Sequence, residues 1–306
     1  MSDWPLIAAP AVTAHPALQQ LARELQARFR DGVAAIIVYG SCLRAADPTD
    51  GLVDLYLLCD NYSAALGRGP AALGNRLLPP NVYHAQSGEG PRRVRAKVAL
   101  LSLADFRRGC SRHWFHSYLW GRFAQPVALL SVRDAHTRQR IRGALLEAQF
   151  TLLQRTLPLL PRAGSTAQLW ERALSLSYGT ELRTERSGRA GELVAWQPAF
   201  YHRALRGAIE RGLPASLDAA GHYRHRAGGA RRTRLAWHLR ALQGKLLSLL
   251  RLLKAFFTFD GGIDYLVWKL ERHSGERITV PARVQRWPLL FAWGFFWRLY
   301  RRGIFR

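Results

Sequence analysis

Residues 17–30, ALQQLARELQARFR, repeat apolar positions at spacings of three and four, the period of one helix face, and Asp31-Gly32 supplies a stop. The pattern then changes. VAAIIVYG (Val33 to Gly40) is short, rich in β-branched residues and unbroken, as in a strand buried on both faces. After the turn-rich SCLRAADPTDG comes a second apolar run, LVDLYLLCD (Leu52 to Asp60). RVRAKVALLSL (Arg93 to Leu103) predicts a third strand, and NVYH (Asn81 to His84) a short one. The intervening NYSAALGRGPAALGNRLLPP, rich in Gly and Pro, predicts a loop or short helix. From Asp105 the period becomes helical, with segments near 110–123, 134–157 and 166–176 and another over 198–212. SLDAAGHYRHRAGGARRTR (Ser216 to Arg234) is poor in apolar residues and rich in Gly and Arg, which reads as a linker or mobile loop. The chain is therefore expected to be α+β, with a sheet first and helices after it.

At 306 residues and 48% hydrophobic, the chain can bury a full core, and the change of pattern predicts two domains rather than one. Cys42, Cys59 and Cys110 lack CxxC spacing, so neither a zinc site nor a disulfide framework is indicated, and a reducing compartment fits. The opening MSDWPLIAAPAVTAHP has no basic stretch ahead of an apolar one, so no secretory signal is expected. A run of about 18 uncharged apolar residues is also lacking, which makes any membrane contact peripheral. The 45 Lys and Arg against 21 Asp and Glu leave a formal net charge of +24. A field of that sign draws in polyanions without distinguishing nucleic acid, anionic lipid and nucleoside triphosphates.

Candidate chemistry concentrates in VYGS…VDLYLLCD. A strand ending in Gly40-Ser41 lets backbone N–H groups and the Ser41 hydroxyl approach phosphate oxygens, with Arg44 close by in sequence. On the next strand Asp54, Tyr56, Leu58 and Asp60 share one face by alternation, so Asp54 and Asp60 are candidate Mg²⁺ ligands beside that cradle. A carboxylate amid leucines is costly to bury without a partner, which singles out Asp54. Lys97, one of four lysines, is placed to pair with it or to bind a triphosphate.

These residues resemble the phosphatidate cytidylyltransferases of the mitochondrial translocator assembly and maintenance type, bacterial homologues above all. Tyr39-Gly40-Ser41 matches the family's YGS motif, and Asp54 and Asp60 match its pair of aspartates six apart. Pro80-Asn81-Val82-Tyr83 is similar to its GVYYN-like segment, and Lys97 aligns with the lysine of its KYG strand. Trp114, Tyr118, Leu119, Gly121, Arg122 and Pro126 match its W-x-x-x-Y-L-x-G-R-x-x-x-P signature, and Leu176 to Arg183 its LSY-G-D-R segment. Position 56 is Tyr where nucleotidyltransferases in general carry a second carboxylate, and Cys110 stands where the family has Asp.

The resemblance implies a nucleotidyltransferase-fold mixed sheet (1–128), a mostly helical, winged-helix-like domain (129–215) and an amphipathic membrane-binding C-terminal region (235–306). It implies Mg²⁺ as cofactor, and CTP and phosphatidic acid as substrates. Asp54 and Lys97 would be catalytic, Asp54 and Asp60 metal ligands, and Tyr39, Gly40, Ser41, Arg44, Asn81, Tyr83 and Arg122 substrate-binding. The expected setting is the cytoplasmic face of a bacterial inner membrane.

The C-terminal pattern bears on that setting. ALQGKLLSLLRLLKAFF (241–257) places Lys245, Arg251 and Lys254 along one side of a helix and is expected to be core. WPLLFAWGFFWRLYRRGIFR (287–306) mixes rings with arginines, as suits an anchor on an anionic membrane surface. In DYLVWKLERHSGERI, Arg272 and His273 are candidates to meet the lipid phosphate. Two other expectations stay open: a noncatalytic nucleic-acid-binding protein on a nucleotidyltransferase scaffold, and transfer to a different acceptor.

Overall fold

The structure, a computed structural model, describes residues 4–29, 32–45, 47, 51–88, 93–181, 188–258 and 278–286, with isolated positions between 291 and 301. A short α1 (Pro10–Thr13) and α2 (Pro16–Phe29) lead into β1 (Val33–Tyr39). A 3₁₀ turn at Ser41–Arg44 follows, then β2 (Leu52–Cys59), α3 (Tyr62–Leu66), α4 (Pro70–Leu77), β3 (Asn81–Ser87) and β4 (Val94–Ser102). Next come α5 (Leu103–Cys110), α6 (Tyr118–Phe123) and β5 (Val127–Val132).

The five strands form one mixed sheet in the order β3-β4-β2-β1-β5, in which β2 and β4 run parallel and the other pairs antiparallel. β5 was not expected. Its short run VALLSV begins soon after the helix that ends at Phe123, and a short run of that kind carries no period of its own. The expected 110–123 helix is also broken, because Ser111 is extended and caps α5, and helix resumes only at Tyr118.

Alternation along the strands divides the core. Ile36, Val38, Leu55, Leu57, Val98 and Leu100 face α2, whose Leu18, Leu21, Leu25 and Phe29 lie at one helical spacing. Ile37, Tyr56, Leu58 and Leu101 face Phe106, Trp120 and Phe123 of α5 and α6. This second cluster continues without a break into α7 (Ala135–Thr156), α8 (Thr166–Tyr178), α9 (Arg189–Trp196) and α10 (Pro198–Glu210). Three short strands, β6 (Ala163–Ser165), β7 (Ala215–Leu217) and β8 (His222–His225), form an antiparallel sheet in the order β6-β8-β7.

Ser216–Arg234 is therefore not the linker its composition suggested. Tyr223, 1% exposed, anchors the hairpin and donates its hydroxyl to the Pro161 carbonyl at 3.1 Å. The Asp218 carboxylate accepts the His222 N–H at 2.8 Å across the turn. One inward ring per short strand is too sparse a signal for a pattern to register.

The last long element, α11 (Ala230–Thr258), reverses the expectation for 241–257. Trp237, Arg240, Gly244, Arg251 and Lys254 fall on the inward side. Trp237 Nε1 donates to the Arg155 carbonyl (2.8 Å), Arg240 Nε to that of Phe115 (2.9 Å) and Arg251 Nε to that of Pro79 (2.9 Å). Lys254 donates to the Leu78 and Pro80 carbonyls. Leu235, Leu239, Leu242, Leu246, Leu249 and Leu250 point outward, and Leu242 is 69% exposed. Buried and half-buried cations are held here by loop carbonyls, so the polar stripe takes the inner position and the leucines are left outside. Among the described residues no helix is long and apolar enough to cross a membrane.

Candidate active site

β1 ends at Tyr39, and Gly40 turns the chain with φ of 87° into the Ser41–Arg44 turn. That conformation is open to glycine and costly for other residues. The position is also crowded, since a Cβ there would lie 3.2 Å from Asp54 Oδ2. The backbone at the Gly-Ser corner thus abuts a carboxylate, with Ser41 exposed at the rim and Arg44 half-buried, its guanidinium 6.0 Å from the Trp196 ring.

Strand register places the corner at one end of a row. Tyr39 is opposite Asp54, Asp54 opposite Lys97 and Lys97 opposite His84, so these four side chains share one face of the sheet at neighbouring-strand distances. Lys97 is exposed, and Tyr39, Asp54 and His84 are half-buried. Tyr39, Gly40, Ser41, Asp54 and Lys97 are accordingly brought together.

Arg122 joins them from α6. Its Nη1 donates to the Tyr39 hydroxyl at 3.3 Å, and its Nη2 pairs with Glu181 at 2.7 Å. The approach is made possible by Gly121, where a Cβ would come within 2.7 Å of the Ser177 side chain of α8. Tyr118, one turn earlier, bonds the Tyr56 hydroxyl at 3.1 Å and lies between two guanidiniums, Arg122 at 4.6 Å and Arg251 at 4.2 Å from its ring centre. The tyrosine at position 56 thus fills with a phenol network the place where a second carboxylate was sought. Burial raises the Tyr39 phenol well above its ordinary range, and Arg122 only partly offsets that. For Tyr118, burial also acts upward, but Arg122, Arg251 and Lys97 together outweigh it and lower the phenol.

Three expected residues stand elsewhere. Asp60 lies past the end of β2, about 20 Å along the strand from Asp54, and holds Arg133 in a bidentate pair at 2.5 and 3.0 Å. Alternation along the strand carries no information on this separation. Asn81 and Tyr83 project to the other face of β3 from His84, because Tyr83 is opposite Val98 while Lys97 is opposite His84. Both are buried, Asn81 Nδ2 donates to the Tyr83 hydroxyl at 3.3 Å, and Tyr83 packs on Phe29 of α2. Arg272 and His273 lie outside the described residues.

Metal binding is constrained accordingly. Among the described residues no group of three or more His, Cys, Asp and Glu stands close enough to hold an ion. Asp54 fits Mg²⁺ in the mode in which a single carboxylate is completed by substrate phosphate oxygens and water. The pair Asp54 and Asp60 does not fit.

Glu181, His116 and Arg251 were missed by reading motifs in sequence. Glu181 sits within the LSYGTELR segment, and His116 within the tryptophan-to-proline signature, whereas Arg251 is marked in sequence only as one of the cations along one side of 241–257. His116 is 4% exposed and stacks on Tyr118 with ring centres 6.1 Å apart. Burial, and then the charge of Arg251, hold its pKa down at about 4. Protonation therefore favours the unfolded chain, whose histidine titrates near 6.5. The stability this neutral ring contributes is complete above pH 6.5 and is lost as pH falls toward 4, by an amount on the order of 3 kcal/mol. Urea unfolding across that range should show the decline in the wild type and a flatter profile in His116→Gln; equal slopes in both would contradict the assignment.

No family model matches the chain, and no curated protein matches it. Among solved structures it is similar to the crystal structure of a nucleotidyltransferase-like protein from Exiguobacterium sibiricum 255-15, at 11% identity and a TM-score of 0.26, over 94% of this chain and 92% of that one.

Proposed function

We propose that this chain is a nucleotidyltransferase that joins CTP to phosphatidic acid, giving CDP-diacylglycerol and pyrophosphate. The observation that carries the transfer chemistry is the contact of the positive-φ Gly40 corner with the Asp54 carboxylate, in a row that continues to Lys97. Gly40 and Ser41 bring backbone N–H groups to the triphosphate without a Cβ in the way, and Lys97 supplies a cation on the open side of the row. Asp54 would hold Mg²⁺, which when bound would supply charge neutralisation for the pyrophosphate leaving group. Arg122, fixed by Glu181, orients Tyr39 beneath the corner. A phosphomonoester acceptor is already ionised near neutral pH, so the chain needs no general base.

Base and acceptor rest on the motif resemblance. A lipid acceptor gains support from the outward leucines of α11 and from exposed Phe291 and Trp297, next to a chain of net charge +24. An apolar stripe on a cationic protein is suited to the surface of an anionic bilayer, here the cytoplasmic face of a bacterial inner membrane. The succession α7, β6, α8, α10 and the β7–β8 hairpin supports a winged-helix-like second part. The acceptor is tested by following α-labelled CTP. Label should enter a chloroform-soluble product only when phosphatidic acid is supplied, and label confined to water-soluble product would replace the lipid by a soluble acceptor.

A further inference from the structure

The arginines of the β7–β8 hairpin and of the start of α11 take no part in the site described above. Between Asp218 and Asp260 the chain carries no acidic residue, while Arg224, Arg226, Arg231, Arg232 and Arg234 crowd into 224–234. All five are exposed, and none of their side chains has an ion pair or hydrogen bond among the described residues. Asp218, the nearest acid in sequence, accepts the His222 N–H at 2.8 Å. The backbone that presents the arginines is fixed. His225 is buried, its Nε2 donating to the Pro161 carbonyl at 3.0 Å and its Nδ1 accepting the Ala227 N–H at 3.1 Å. Arg224, on the outer face of the small sheet, stands opposite Ala163 and Ser216, whose small side chains leave it uncovered. Gly229, at φ of 86°, then turns the chain into α11, so Arg226 and Arg231 are no more than about 18 Å apart.

This placement is electrostatically unfavourable for the free protein. The first turn of α11 holds no acid, and Arg231 and Arg232 lie at the end where the helix dipole is positive, the reverse of the stabilising arrangement. An anionic partner relieves both the dipole and the repulsion among the arginines. The kind of partner follows from Leu235. Arg231 and Arg232 precede it by four and three positions, so the three side chains lie on one helix face. From Leu235 the exposed leucines run on to Leu239, Leu242 and Leu246. A partner that meets these arginines therefore meets leucines within the next turn. A nucleic-acid backbone offers phosphate and nothing for a row of leucines, whereas an anionic bilayer offers phosphate above hydrocarbon. The hairpin itself carries no large exposed apolar side chain among the described residues, so its contact is with headgroups alone.

We infer that the β7–β8 hairpin and the first turn of α11 form the charge-reading edge of a bilayer-docking surface, binding the phosphates of anionic lipids while the leucines of α11 enter the bilayer. The inference rests on the bilayer reading of those leucines and does not depend on the transfer reaction or on phosphatidic acid. It divides the work along one continuous stretch of chain: the arginines select an anionic surface, and the leucines hold the protein on it.

The test is co-sedimentation of the full chain with vesicles of phosphatidylcholine alone and of phosphatidylcholine mixed with phosphatidylglycerol, an anionic lipid that is not the proposed acceptor. Arg224→Gln/Arg226→Gln should weaken binding to the mixed vesicles by about thirtyfold, at about fivefold for each arginine near an anionic surface, and leave binding to phosphatidylcholine unchanged. Arg231→Gln/Arg232→Gln should do the same while its unfolding midpoint stays equal or rises, because cations leave the positive end of a helix; this separates a lost contact from misfolding. In the wild type the preference for mixed vesicles should shrink as salt is raised, and a preference indifferent to salt overturns the inference. Wild-type binding by both arginine variants also overturns it, and if Leu242→Ser then still detaches the protein from both vesicle types, the bilayer reading survives alone. An equal loss on neutral and anionic vesicles in the arginine variants overturns it too, since the arginines would not be reading charge. Arginine-dependent binding of an oligonucleotide, with none to either vesicle, would put nucleic acid in place of the bilayer and remove both readings. Because the probe is phosphatidylglycerol, charge-dependent binding supports the inference whether or not the chain turns over CTP.

Discussion

Asp54→Asn is expected to lower turnover by about 10²–10³-fold, the loss that follows removal of one preorganised charge-stabilising group from an active site, while the protein stays folded. Asparagine keeps the shape of the side chain beside Gly40, so the corner retains its contact and only the negative charge is removed. The consequence is large because the donor set is thin. With position 56 a phenol bonded to Tyr118, Asp54 is the carboxylate that the described row supplies for a divalent ion. Asp60→Asn provides the contrast. Its carboxylate serves Arg133 at an exposed site, where an ion pair contributes about 0–1 kcal/mol, so turnover should be unchanged and stability nearly so. Comparable losses in both variants, measured as initial rates at saturating substrate, would restore the two-aspartate metal site.

Gly40→Ala is expected to be nearly as damaging, through geometry instead of charge. A non-glycine residue at φ of 87° bears a backbone penalty of about 1–2 kcal/mol, and the added methyl would stand 3.2 Å from Asp54 Oδ2. Either the Ser41 turn or the carboxylate has to shift. A displacement near 1 Å at a reacting centre costs about a hundredfold in rate, so the variant should lose both stability, read as a lower unfolding midpoint, and most of its turnover. An alanine variant that keeps wild-type turnover would mean the corner is not where phosphate binds.

The parts of this site that were legible in sequence are those set by local rules. A β-branched run ending in Gly-Ser, and an aspartate interrupting the next run, specify a strand, a corner and an inward carboxylate between Val33 and Asp54. The signature from Trp114 to Pro126 was legible as a spacing and acquires physical content only in three dimensions. The Trp114 carbonyl accepts the Trp120 indole N–H at 3.1 Å, Gly121 lets α6 approach Ser177, and Arg122 reaches both Tyr39 and Glu181.

What escaped was set by register and by long-range packing. Asn81 and Tyr83 belong to a strand that was anticipated, but the face they occupy depends on pairing Lys97 with His84, and a shift of one residue would have exchanged the faces. Asp60 shows that two-residue alternation does not make a shared site, since its carboxylate is taken by Arg133 beyond the end of β2. The direction of α11 could not be read from its own amphipathicity, because its cations are held by the Leu78–Pro80 carbonyls more than 170 positions away. Arg251 meets Tyr118 only as a result of that docking.

The most direct measurement is pyrophosphate release by the purified chain with Mg²⁺, offered each nucleoside triphosphate in turn with and without phosphatidic acid vesicles. The account predicts release that requires CTP and phosphatidic acid together and that disappears in Asp54→Asn. No release under any of these conditions from a folded protein would contradict it.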